Sequence, residues 1–267
     1  MRGLHRQEVA RRRAAAALVG GLALGASAAV RAEHDMGAMG ADAGGAELSV
    51  GLTLEHATYD NALFLGSYQG VTPSLAWMRG RLGASVALGL YHVDENGRSV
   101  YGIGDAMLGA HVTAFATPAL LAGVALHVML PTGAEIDQLG MGHVMVMPAV
   151  WGSWRAAPLT VSASVGYGRG LASMSGTHGH GAGPIVDPMN LQELTGAGGV
   201  AVDVGGGVTV AGRAAGAVAL GAGHARLFGG ARLAWASPRL STGVELQLGV
   251  VGDPFTLRGV VDTALRF

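Results

Sequence analysis

The chain has 267 residues, of which 50% are hydrophobic and only 13% charged, with a formal net charge of -1. That balance supplies no basic field for nucleic acid. The absence of Cys excludes a disulfide framework, thiolate metal sites and a lipidated N-terminal Cys. No internal run reaches the roughly 20 apolar residues of a membrane helix. The apolar residues are spread over short alternating segments, as in strands that face lipid on one side.

In chain order, Arg2, Arg6, Arg11, Arg12 and Arg13 precede an Ala/Leu/Val/Gly run from Ala14 to Val30. Small-residue patterns come next at Ala26-Ser27-Ala28 and Val30-Arg31-Ala32. This is the order of a secretory signal peptide over residues 1–32, with a retained anchor as the alternative. Residues 33–45 then form a polar tail that should stay disordered. It carries His34, Met36 and Met39. These are either incidental linker residues or soft and imidazole ligands of the kind that take copper.

From residue 46 to 267 the period is two. Leu48, Val50, Leu52 and Leu54 share one face and Glu47, Ser49, Gly51, Thr53 and Glu55 the other, as successive strand residues must. Further strands are expected over 67–77, 81–91, 101–115, 120–130, 143–154, 159–167, 190–204, 208–218, 225–235, 240–250 and 255–267. Tight turns are expected at Arg79-Gly80, Thr117-Pro118, Ala157-Pro158, Gly205-Gly206 and Ser237-Pro238. A longer loop is expected over 92–99, another over 131–142, and the longest from Gly168 to Pro188.

The sequence therefore predicts an all-β, closed, antiparallel transmembrane β-barrel of about 12 strands, each of roughly ten residues. Short turns alternating with longer loops fit periplasmic turns and extracellular loops. Trp77, Trp154, Trp235 and Phe267 fall at the expected periplasmic strand ends, where an aromatic girdle belongs. The last stretch, Phe255 to Phe267, alternates throughout. It places Phe255, Leu257, Val261 and Leu265 on the lipid face and Arg258, Val260 and Asp262 inward. An unpaired terminal strand would be a liability that closure removes. The expected partners are outer-membrane lipid, the barrel-assembly machinery through the strand ending in Phe267, and a small-molecule solute.

The inward phase carries charge of both signs. Lumen-lining candidates are Arg81, Asp105, His111, His127, Arg213, Arg226, Arg232, Glu245, Arg258 and Asp262, with Glu47, Glu55 and Arg266 in the same phase. They either pair across strands and plug the barrel or shape a selective path. The Arg-rich inner faces of the tenth and twelfth strands suggest mild anion preference. A second inward set comprises Met107, Met129, His143, Met145 and Met147 beside His111 and His127. With the turn at Thr117-Pro118, Met107 lies opposite Met129, and His127 is diagonal to Met107 and His111, all within reach of one another. The longest loop adds His178 and His180. These residues are candidate copper ligands, or Met that fills gaps beside solvent-facing loop His. No nucleophile–base motif occurs, and Gly196-Ala197-Gly198-Gly199 opens no helix that would make it a phosphate loop.

Gly102-Ile103-Gly104-Asp105, His127-Val128-Met129-Leu130-Pro131-Thr132-Gly133, and Leu139-Gly140 to Trp154 with Pro148 inside resemble motifs of the outer-membrane transporters found beside phenol meta-cleavage pathways, some branches of which are rich in Met and His. The resemblance implies a barrel that passes small, apolar or aromatic molecules, and with no nucleophile–base motif the chain is not expected to be an enzyme. The expected function is passive transport of small solutes. Copper binding or export through the His/Met clusters is the alternative, and a plugged structural barrel the second alternative.

Overall fold

The computed structural model describes residues 46–60, 65–171, 186, 188–221, 223–252 and 255–267. The signal and tail expected over 1–45 lie outside them. Among the described residues there are twelve strands: β1 (Ala46–Asp60), β2 (Leu65–Arg79), β3 (Leu82–Glu95), β4 (Arg98–Ala116), β5 (Leu120–Leu130), β6 (Met145–Ala156), β7 (Leu159–Gly170), β8 (Gln192–Gly205), β9 (Val208–Ala219), β10 (Arg226–Ala236), β11 (Leu240–Val251) and β12 (Leu257–Arg266). Each pairs antiparallel with the next, and β12 returns to β1 to close the barrel. The closing seam runs from Ser49 opposite Arg266 to Thr58 opposite Leu257.

The period-two pattern decides which side of the wall each residue takes. In β1, Leu48, Val50, Leu52 and Leu54 are exposed on the outside, while Thr53, Glu55, Ala57 and Tyr59 are buried inside. The same division repeats around the barrel, leaving an apolar outer band suited to lipid. Trp77, Trp154, Trp235 and Phe267 are all exposed at the short-turn end, the girdle expected at a membrane interface.

Three local expectations are corrected. Residues 92–99 are not a loop: β3 and β4 continue to Glu95 and Arg98 and turn on Asn96-Gly97, both with positive φ (49° and 82°). That is the two-residue hairpin whose backbone twist matches the flanking strands. β4 does not keep one phase, because a bulge sets Leu88 opposite Ala106 and Leu90 opposite Ile103. A bulge inserts one unpaired residue and switches the face of the residues beyond it. Phe255 does not face lipid. It precedes β12 and is buried inside the barrel, because strand alternation holds only where the strand has begun.

Candidate functional site: the barrel lumen

The lumen is built differently on its two sides. On the β8–β2 side lies a chain of buried charges. Arg232 reaches across β11 and holds Asp262 through both guanidinium nitrogens, one of them at 2.8 Å. It can do so because Gly243 stands between them, where a Cβ would fall on the guanidinium. Arg213 Nε donates to Glu245 Oε1 at 2.6 Å, and Gln247 Nε2 donates to the same oxygen at 2.8 Å. Arg258 Nε donates to Gln247 Oε1 at 2.7 Å and Arg258 Nη1 to the Tyr68 hydroxyl at 3.3 Å. Tyr68 in turn donates to Glu55 Oε2 at 3.2 Å. Nearer the loop end Arg226 binds both oxygens of Glu193. The Arg-rich inner faces of β10 and β12 are thus matched by Asp262, Glu245, Glu55 and Glu193. The expected anion preference loses its electrostatic basis, since a paired set of charges produces little net field.

On the β4–β6 side the wall is soft and apolar. Met107, Met129, Met141, Met145 and Met147 form one buried cluster, with Met189 packed against it. Met107 stands opposite Met129, and Met129 opposite Met145. His127 faces Gly109 and Met147 and is diagonal to Met107 and His111, as the sequence register required. Of the described methionines only Met78 lies apart. The His111 ring occupies the space above Gly83, where a Cβ would strike it.

Across the loop end runs an apolar barrier. Tyr59, Tyr68, Tyr91, Val93 and Phe228 from the wall meet Leu139, Val186 and Phe255 from the loops in one buried cluster. Leu139 is only 1% exposed. It arrives there because the β5–β6 loop, residues 131–144, folds inward and is latched. Asp105, at the β4 bulge, accepts hydrogen bonds from the backbone N–H of Gly133 (2.9 Å) and of Met141 (2.7 Å). The Thr132 hydroxyl donates to the Gly104 carbonyl (2.7 Å) and accepts from the Ala106 N–H (2.8 Å), satisfying the backbone around the bulge. Arg98 pairs with Asp137, and Gln138 donates to Glu95 at 2.7 Å. Two motifs that stand apart in the sequence, Gly102 to Asp105 and Pro131 to Gly133, are therefore two halves of one latch.

His111, His127, Arg213, Arg226, Arg232, Glu245, Arg258 and Asp262 all point inward. Arg81 does not: it sits in the β2–β3 turn, exposed, donating to the Ala114 carbonyl at 3.3 Å. Its phase continues inward, but the strand has already ended. Asp105 holds the loop rather than lining a path. His143 precedes β6 instead of belonging to it, beside Gly170. His34, Met36, Met39, His178 and His180 lie outside the described residues. Among those described, no group of three His, Cys, Asp or Glu could hold a metal ion. Sequence reasoning passes over Glu193 and Gln247. Both are fully buried, and their alternation with Leu194 and Leu246 was signal enough.

No family model matches the chain, and no curated protein matches it. Among solved structures, an outer membrane channel from Pseudomonas putida F1 aligns with a TM-score of 0.66 at 13% identity, covering 85% of this chain and 97% of that one. The KdgM porin gives 0.53 at 9% identity, with 82% and 99% covered. The translocator domain of the autotransporter NalP from Neisseria meningitidis gives 0.51 at 14%, with 85% and 90% covered. The chain has the fold of outer-membrane β-barrels. Its fold is one shared by channels, porins and translocators, and at these identities the likeness shows that fold alone. Nothing in it ties the chain to phenol degradation.

Proposed function

We propose that this chain is a narrow outer-membrane channel through which small solutes pass passively, with the β5–β6 loop as its constriction. The observation that carries the reading is how the lumen is obstructed. The barrier at the loop end is closed by Leu139 and the loop that bears it, and that loop is tethered by a few hydrogen bonds centred on Asp105. Release of such a latched loop is a lid opening, a motion of microseconds to seconds. The reading includes export by a cleaved signal over 1–32 and insertion by the assembly machinery through β12 and Phe267. Liposome swelling and single-channel recording on the refolded chain test it. Graded entry of small solutes with stepwise conductance is expected. Insertion without passage, in both the native chain and Asp105→Ala, would leave a plugged structural barrel.

A second reading has its own observation. The Met107–Met129–Met145 row brings thioethers from three adjacent strands to one level, with His127 and Met147 beside them. Thioether and imidazole ligands suit Cu(I). The metal-handling reading expects Cu(I) or Ag(I) to bind the refolded barrel and to show sulfur ligation by X-ray absorption. Loss of that signal in Met129→Leu would locate it on this row. An unchanged signal would place the ligands elsewhere.

A further inference from the structure

In the buried charge network, charge is balanced but hydrogen bonding is not. Asp262 receives both nitrogens of Arg232. Glu245 Oε1 receives Arg213 and Gln247, while its Oε2 faces Arg232 at 3.8 Å. Arg213 gives Glu245 only its Nε. Its Nη1 and Nη2 have no hydrogen-bond partner among the described residues, although its side chain is only 6% exposed. A guanidinium presents five donors in a rigid fork that matches a carboxylate. A buried charged donor left without an acceptor costs more free energy than most single contacts supply. Such a group in a folded protein calls for an explanation.

Its surroundings indicate what it is for. The Arg213 guanidinium lies over the Phe228 ring at 5.8 Å, and Arg258 lies 5.8 Å from the same ring and 4.6 Å from that of Phe255. The two phenylalanine rings are themselves 5.8 Å apart and tilted by 56°. They belong to the apolar barrier at the loop end. Arg213 stands opposite Gly230, two residues further from the loop end than Phe228, so a solute entering from that end meets aromatic surface before the Arg213 fork. Flat apolar bodies pack well against tilted rings, and a fork accepts two oxygens side by side.

We propose that Arg213 together with Phe228 and Phe255 forms a binding site for a small aryl-bearing carboxylate, its two oxygens on Nη1 and Nη2 of Arg213 and its apolar body against the two rings. This names a solute class for the proposed channel. It rests on that reading for delivery of the solute and not for its affinity. Neutral hydrocarbons would find the barrier but not the fork. Acetate would find the fork but not the rings.

The test is isothermal titration of the refolded chain in lipid nanodiscs with phenylacetate, its neutral counterpart phenylacetamide, and acetate. Phenylacetate is expected to bind at least tenfold more tightly than either of the others. Arg213→Lys keeps a cation beside Glu245 but not the fork, and should lose most of the preference for acid over amide while the barrel still inserts. The double variant Arg213→Met with Glu245→Gln removes both charges of the pair and should abolish that preference, which covers the case in which the Lys variant does not fold. Equal binding of acid and amide would overturn the proposal, as would an undiminished preference in either folded variant. If phenylacetate binds as described but no solute crosses the membrane, the channel reading fails and the site stands. If solutes cross and acid and amide bind alike, the channel stands and the site fails.

Discussion

Asp105 and Gly133 stand 28 residues apart in the chain and meet through a 2.9 Å hydrogen bond, donated by the Gly133 N–H to the Asp105 carboxylate. With the Met141 N–H on the other oxygen, this one side chain pins both ends of the loop that carries Leu139 into the lumen. Hydrogen bonds to a charged group contribute about 1.5–3 kcal/mol each. Asp105→Ala should therefore release the loop while leaving the strand ladder intact. Larger single-channel conductance and new protease cleavage between residues 131 and 144 are expected, with unchanged heat-modifiable mobility on gels. Unaltered conductance would put the constriction elsewhere.

The buried pairs should be costly to break from one side. Glu245 serves Arg213, Gln247 and Arg232 at once. Removing one partner of a buried ion pair typically costs about 3–5 kcal/mol. Glu245→Ala should lower folding stability by that order in urea titrations read by gel shift. Glu47 sits 3.7 Å from Arg266 with a half-open side chain. Glu47→Ala should stay within about 1 kcal/mol of the native chain.

Leu246 points outward between Glu245 and Gln247 and is 53% exposed. An Arg on the lipid face near the bilayer centre costs about 2–4 kcal/mol. Leu246→Arg should show a loss of that size in a folding assay in lipid vesicles. A neutral result would mean that this level of β11 lies at the interface rather than in the hydrocarbon.

Two glycines should respond in opposite ways to Ala. At Gly83 a Cβ would strike the His111 ring, whereas at Gly212 nothing lies within 4 Å. Overpacking in an interior costs about 1–3 kcal/mol. A compatible Gly→Ala exchange gains about 0.4–1 kcal/mol by restricting the unfolded chain. Gly83→Ala should destabilise and Gly212→Ala should not, measured side by side by urea midpoint.

The sequence was most legible where turn chemistry and alternation agreed. β5 occupies Leu120–Leu130 as expected, because Thr117-Pro118 and Pro131-Thr132-Gly133 bound it on both sides. The turn at 117–118 also set the register that places Met107 opposite Met129. The hairpin at Asn96-Gly97 carried a strong signal, yet the polar residues around it read as a loop. The β4 bulge was not legible, since a bulge is defined by the strand across from it, and a strand glycine such as Gly104 marks a close approach, here of the Tyr91 ring, as readily as a bulge. The Arg232–Asp262 pair was out of reach for a related reason. It depends on two registers in series, β10 against β11 and β11 against β12, and on a glycine at the crossing. The inward phase showed that both residues enter the lumen, but not that they touch.

The seam between β1 and β12 has a consequence for how the molecule is made. Thr256 donates its backbone N–H to the Thr58 carbonyl, and Asp60 donates its own to the Thr256 hydroxyl, 196 residues away. These first and last strands can meet only after everything between them has been made. Until then the growing sheet has two bare borders, each a row of peptide groups that hydrocarbon will not solvate. Neighbouring hairpins can form early and locally, but the wall stays open, and the lumen undefined, until the last strand arrives. Pairing of β1 with β12 thus both completes the wall and creates the inside.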